Sequence, residues 1–301
     1  MPGDVTRVDI WPSSEFHWKP SQHVFLRFTE IAPFETHPFT VAIAESTCGS
    51  ARHLVFLPRA RAGFTHKLTS YTQTHASTDS KAVTTSVWLD GPYGGLSRQL
   101  YHRYDALILL AGGTGITACF PWLQDVIIRG QGRECGSKTK RVVLVWAVKK
   151  SDSLQWLGEE FGSLGKAKKA SQVELGIRMH ITGGDPPQLD DGASTSHSER
   201  SDPVAKEGQL LAVDISSVDK EPALSSPFRH VNALGATVHT GRPIMQNVLQ
   251  DFVRAGERTM VIGCGPVGFR ADLGNAVAGA QSRVLKGEIV ELAMHLERFG
   301  W

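Results

Sequence analysis

Leu107 to Leu123 reads LILLAGGTGITACFPWL, and this stretch limits the fold more than any other. The unbroken apolar run Ala106 to Ala111 has the length of a strand buried on both faces. Glycines follow at once, and Ile116 to Ile128 reads as a helix that Pro121 should kink. A strand that ends in glycine and opens into a helix belongs to a parallel sheet with crossover helices. It also aims free backbone N–H groups and the positive end of a helix at one point, which suits a pyrophosphate. The loop is GGTG rather than the GxGxxG fingerprint, so a plain tight turn stays open as the alternative.

The same grammar continues downstream. Val142 to Val148 is a second buried strand, Leu154 to Phe161 is helical, and Val173 to Ile181 and Thr259 to Ile262 add strands. The first hundred residues differ. Val24 to Phe28, Phe39 to Ile43, His53 to Leu57 and Val83 to Leu89 are short β-like runs, separated by Pro33, Cys48-Gly49-Ser50, Ala62-Gly63 and Asp90-Gly91-Pro92. Such spacing predicts an antiparallel barrel or sandwich. The 301 residues therefore divide into 1–102 and 103–301, with the boundary near Gln99 to Arg103. Asp185 to Arg229 is dense in Ser, Asp, Pro and Gly, and its composition predicts a mostly disordered insertion. An idle loop and a phosphorylated regulatory segment both fit it.

Several function classes fall away. Thirty-two Lys and Arg against thirty Asp and Glu leave a net charge of +2 with no long basic run, which argues against nucleic acid. Cys48, Cys119, Cys135 and Cys264 include no CxxC pair, so neither a zinc site nor a disulfide framework is expected, and no metal ligands are assigned. The N-terminus lacks a signal-peptide layout, and no run of roughly 18 apolar residues occurs, so the chain by itself is expected to be soluble.

Three further loops carry possible chemistry. In TMVIGCGPVGFRADL, Gly263 and Gly265 permit close backbone approach, Pro266 suits a helix start, and Cys264 falls at the carboxyl edge of the sheet. A buried structural cysteine is the equal alternative there. His37-Pro38-Phe39-Thr40 offers a flat apolar ring and a hydroxyl donor to an aromatic cofactor, or is an ordinary turn. Arg59 to Lys67, RARAGFTHK, sets cations and a hydroxyl around Gly63, which suits a phosphate or simply a solvated loop.

Taken in order, WKPSQHVFLRF, HPFTVAI, RARAGFTHKL, GPYGG, LLAGGTGIT, VLVWAVKK, TGRP, VIGCGP and the terminal ERFGW resemble the ferredoxin-reductase superfamily. Within it they are most similar to the cytosolic dehydrogenase region of fungal ferric reductases, relatives of the NADPH oxidases. The resemblance runs from about Trp18 to Trp301, apart from the insertion. It implies a two-domain fold, an antiparallel FAD-binding β-barrel followed by an α/β nucleotide-binding domain. His37, Pro38, Phe39 and Thr40 would hold FAD, with Phe39 against the isoalloxazine and Thr40 near its reactive nitrogen. Arg61, Gly63, Phe64, Thr65 and Lys67 would take the FAD pyrophosphate, and Gly91, Pro92, Tyr93 and Gly94 would form the turn between the two sites. Gly112, Gly113, Thr114 and Gly115 would take the NADPH pyrophosphate. Lys149 stands where relatives carry arginine and, with Arg242, would grip the phosphate that distinguishes NADPH. Cys264, Gly265 and Pro266 would border the nicotinamide, and Trp301 would stack on the flavin, making Thr40, Cys264 and Trp301 the residues nearest the reaction.

The implied activity is an NADPH-dependent metalloreductase, a flavoprotein oxidoreductase of electron and iron transport that passes hydride to FAD and single electrons to haem and ferric or cupric ions. The dehydrogenase region of a superoxide-forming oxidase is the enzyme alternative, and a flavin-free regulatory relative the non-catalytic one. Relatives place this region at the cytosolic face of a membrane, behind a haem-bearing membrane domain absent from this chain. The expectation is thus a fragment, or a reductase using a partner or a diffusible acceptor. Two positions depart from the family pattern: Ser21 replaces the usual glycine of the WKPGQ turn, and Ile43 stands where Ser or Asn is usual.

Overall fold

The computed structural model describes residues 1–12, 15–45, 53–76, 82–97, 100–131, 137–183 and 228–298. The N-terminal half contains β1 (Val8–Ile10), β2 (Gln22–Phe28), β3 (His37–Thr40), β4 (Leu54–Phe56), α1 (Phe64–His75) and β5 (Val87–Gly94). Its strands pair antiparallel, as expected, in a two-stranded sheet β1-β4 and a three-stranded sheet β3-β2-β5 among the described residues. Along β2, Val24, Leu26 and Phe28 are buried and the residues between them are half-exposed, the alternation of a sheet with one face on the core.

The short α2 (Leu100–Arg103) leads into β6 (Ala106–Gly112), a 3-10 turn (Gly113–Gly115) and α3 (Ile116–Arg129). Then follow β7 (Arg141–Val148), α4 (Gly158–Ala170), β8 (Glu174–Ile181), α5 (Arg229–Asn232), β9 (Thr237–Thr240), α6 (Met245–Phe252), β10 (Arg258–Cys264), α7 (Val267–Leu285) and β11 (Glu291–Glu297). Among the described residues six strands form one parallel sheet in the order β11-β10-β6-β7-β8-β9. The central strand β6 is buried throughout: Leu107, Leu109 and Ala111 face the core shared with α3 and α4, and Ile108 and Leu110 face the core under α6 and α7. The first of these cores is continuous with the N-terminal half, running from Val24, Leu54 and Phe56 to Phe120 and Trp122, so the two domains share buried surface.

Several elements differ from expectation. The strand expected over Phe39 to Ile43 lies at His37–Thr40, because Val41 to Ile43 turn into the core as loop. The strand expected from Val83 starts at Val87 and runs through Gly91-Pro92-Tyr93-Gly94, so those four residues extend a strand instead of forming a turn. The helix expected over Leu154 to Phe161 begins as a 3-10 stretch, Ser151–Leu157, and continues as α4 to Ala170. Pro121 is accommodated within α3, which continues to Arg129. The sequence pattern did not reveal α1, and of α7 it showed only the start at Pro266. Only Phe64 and Leu68 of α1 are buried, and Gly268, Gly274 and Gly279 dilute the apolar period of α7. The expected insertion lies outside the described residues except Phe228, in a turn, and Arg229, which opens α5.

Candidate functional site

Strand order reverses direction at β6: the chain first adds β7, β8 and β9 on one side, then returns to place β10 on the other. Ligands of open α/β sheets bind outside the carboxyl ends of the strands at such a switch. Here that point lies between Gly112, ending β6, and Cys264-Gly265, ending β10. A Cβ at Gly112 would come within 2.9 Å of the Pro266 ring, and one at Gly115 would overlap the Cys264 carbonyl. These two glycines therefore let the loops pack on each other. Gly113 differs: its φ is +57°, and nothing lies within 4 Å of the Cβ it lacks. The loop is held from behind by the Trp146 indole, which donates to the Gly113 carbonyl at 2.9 Å, and by the Thr117 hydroxyl, which donates to the Thr114 carbonyl at 3.1 Å.

Further along the same edge, Gly183 N–H donates to the Lys149 carbonyl and Gly241 N–H to that of Ile181. Lys149 and Arg242 are both exposed at this edge, beyond β7 and β9, with β8 between them. Two strand spacings, roughly 10 Å, separate their backbones, so only their long side chains can converge on one phosphate.

Cys264 reaches this edge with its backbone alone. Its thiol is buried in the core, and burial first, then Glu297, pushes its pKa up to about 12. The neighbouring Cys119 thiol is likewise buried and raised, so both behave as small apolar side chains.

In the N-terminal half, Gly63 caps α1 with φ +61° and open space around its missing Cβ, leaving the first N–H groups of the helix uncovered by side-chain caps. Thr65 is already engaged: its hydroxyl accepts from Arg61 N–H at 3.2 Å and donates to the Ala62 carbonyl at 3.3 Å. The His37 ring stacks on Phe64 at 4.2 Å and 17°, so two stretches read separately in the sequence form one platform. Glu35, which sequence reading missed, joins them: it pairs with His37 Nε2 at 3.1 Å and Lys67 Nζ at 2.7 Å. Lys67 foremost, then His37, holds its carboxyl below the usual range. An anion bound at this helix end would have to compete with Glu35 for Lys67.

Phe39 is half-buried, 6.2 Å from Phe64, and lies opposite Val24. Thr40 lies opposite His23, at the end of the strand. On that outer face Tyr93 meets Phe25 at 5.6 Å and His23 at 6.2 Å, and its hydroxyl donates to Asp90 at 3.0 Å. His23 and Phe25 are a second pair that sequence reading passed over, since alternation marks them only as outward-facing. Ile43 is buried, and its carbonyl accepts from the Trp18 indole at 2.8 Å, so core packing accounts for this departure. Trp301 lies outside the described residues.

Residues 104–278 match the family described as the ferric reductase NAD binding domain, and residues 1–97 match an FAD-binding domain family. The chain belongs to the ferric reductase family. It is 24% identical, over 95% of its length, to ferric/cupric reductase transmembrane component 7 of Saccharomyces cerevisiae, covering 44% of that protein. It is 31% identical to the probable cell surface ferric reductase kap2 of Aspergillus oryzae over 53% of this chain and 21% of that one. Respiratory burst oxidase homolog protein B of Oryza sativa is 26% identical over 58% of this chain and 22% of the oxidase. The chain thus spans less than half the length of these relatives. A ferredoxin NADP+ reductase from Neisseria gonorrhoeae, solved with bound FAD and NADP, shares the fold with a TM-score of 0.56 at 12% identity, over 98% of this chain and 93% of that one. Among the described residues no helix of this ferric reductase family member is long and apolar enough to cross a membrane.

Proposed function

We propose that this chain is the electron-input region of a ferric-reductase-type flavoprotein, taking hydride from NADPH and passing single electrons to a haem-borne, ferric or cupric acceptor. The observation that supports it most is the use of glycine at the β6–β10 switch. Gly112 and Gly115 serve loop packing, while Gly113 stays open with a left-handed backbone, a cradle that a side chain would fill. The uncapped start of α1 at Gly63 offers a second anion site in the other half.

In this reading Gly113, Thr114 and the start of α3 hold the dinucleotide pyrophosphate, Lys149 and Arg242 hold the phosphate particular to NADPH, and Gly265, Pro266 and the Cys264 backbone border the nicotinamide. His37, Pro38, Phe39, Thr40, Arg61, Gly63, Phe64, Thr65, Lys67 and Tyr93 hold FAD, and Trp301 covers its face. When bound, FAD accepts electrons in pairs and releases them singly. The chain's own work is to orient the two rings and exclude water, which removes entropy from the barrier. No side chain needs to act as an acid or base in the hydride step. The likeness to a respiratory burst oxidase favours a second reading, in which the acceptor is oxygen and the hydride half is the same.

Anaerobic stopped-flow mixing of FAD-reconstituted protein with NADPH tests the reading. Flavin bleaching that is faster with NADPH than with NADH supports it. No FAD uptake, or bound FAD that NADPH never bleaches, overturns it in favour of a non-catalytic relative. Ferric reduction against superoxide formation by the intact protein then separates the two acceptors.

A further inference from the structure

The turn before β2 places a serine where backbone geometry disfavours one. Ser21 has φ +61°, a left-handed conformation natural to glycine, and is only 5% exposed. Its hydroxyl spans the domain boundary: Oγ donates to the Ala118 carbonyl at 3.0 Å and accepts from the Trp122 indole N–H at 2.7 Å. Ala118 and Trp122 are one turn apart on α3, and both are fully buried. The hydroxyl's proton and one of its lone pairs are therefore used within the same helix.

We propose that Ser21 is a positioning residue whose hydroxyl latches the flavin domain to α3 and so sets the geometry between the two cofactor sites. On one side the latch adjoins β2, where Gln22 and His23 lie opposite Gly94 and Tyr93 of β5, and His23 opposite Thr40 of β3. On the other it grips the helix that begins directly after Gly113–Gly115. Ala118 is three residues beyond Gly115, roughly 4.5 Å along the axis. A short rigid path thus joins Thr40 and Tyr93 to the open glycine loop. Other ties hold the domains together when this one is cut: Ala44 N–H donates to Gln124 of α3 at 2.8 Å, Arg7 pairs with Glu160 of α4 at 2.7 Å, and the Trp156 indole donates to the Pro2 carbonyl at 2.8 Å. Ser21 therefore governs alignment more than association. The positioning role rests on the proposed hydride transfer, whereas the latch does not.

Ser21→Gly in the full chain separates alignment from stability, because glycine adopts this φ without strain and so offsets the lost hydrogen bonds. Its melting midpoint should stay near that of the wild type, while Ser21→Ala, which keeps the strain and loses the hydroxyl, should melt lower. In both variants the Trp122 indole proton should exchange with solvent at least about tenfold faster by NMR, since its acceptor is gone. Flavin bleaching at saturating NADPH should slow by about ten- to a hundredfold with the nucleotide Kd nearly unchanged, the pattern of lost alignment. Unchanged indole exchange would overturn the latch, whatever FAD does. Faster exchange with unchanged bleaching would overturn the positioning role. A wild type that binds FAD but passes no hydride would sink the proposed function and the positioning role together, with the indole still deciding the latch.

Discussion

Along β6 every residue is buried, and the loop beyond it is shaped by backbone against backbone, Gly112 on Gly265 and Gly115 under the Cys264 carbonyl. Along β2 only alternate residues are buried, and the site beside it is assembled from side chains of separate stretches: Glu35, His37, Phe64 and Lys67. In the proposed reading the two halves thus make anion sites by opposite means. One relies on missing side chains at a sheet edge, the other on side chains brought together across the chain. A backbone site tolerates few substitutions but needs few residues. A side-chain site can be tuned residue by residue, and it depends on every packing contact that holds its parts in place.

Substitutions in each half can break that contrast. Phe64→Ala should have the largest effect, because Phe64 is buried against Phe28 and carries the His37 ring. A loss of about 3–5 kcal/mol in chemical denaturation, together with loss of FAD retention, is expected. Stability lowered with FAD affinity intact would remove the platform from the site. In the other half Gly115→Ala should destabilise by about 1–3 kcal/mol through overlap with the Cys264 carbonyl. Gly113→Asn keeps a residue that tolerates the left-handed backbone, so it should melt near wild type while weakening NADPH binding. If Gly113→Asn bound NADPH normally, the open glycine would not be the cradle.

Arg242→Ala should reduce the preference for NADPH over NADH by about tenfold, the worth of one charged hydrogen bond, with NADH use unchanged. Lys149→Ala should act in the same direction, and equal loss for both nucleotides would place these cations elsewhere. The mildest test is acid. His180 is stacked on His239 at 5.1 Å, with Arg178 on its own strand and Asp251 near His239. Burial first, and His239 next, lower its pKa from 6.5 to about 4. Between those values the unfolded chain binds more protons than the folded one. The stabilisation is therefore intact above about pH 6.5 and lost as pH falls toward 4. His180→Gln should flatten the fall of melting midpoint with pH across that window, and an unaltered profile would assign the acid sensitivity to other groups.

Much of the dinucleotide half was legible because its signals are local. A run such as Ala106 to Ala111 followed by GGTG leaves a strand, a tight turn and a helix as the natural reading, whereas Lys149 and Arg242 came from the family resemblance and only the sheet order sets them at the same edge. In the N-terminal half HPFT and RARAGFTHKL were visible as stretches, but α1 was not, since its threonines and histidines carry almost no apolar period. Glu35 gave no signal at all. It matters only because folding sets it between His37 and Lys67.

Cys264 and Ser21 mark the division most clearly. From the sequence Cys264 stood in a glycine loop with two open readings, and only the packing of β10 against α3 turned its thiol inward. Ser21 read only as a departure from the usual glycine of its turn, and only the docking of one domain on the other showed its hydroxyl meeting Ala118 and Trp122. Periodicity and glycine placement determine which strands and turns form, because those depend on neighbours a few residues away. Which face is buried, and which distant groups meet, depends on packing between elements, and for this protein only the tertiary structure decided it.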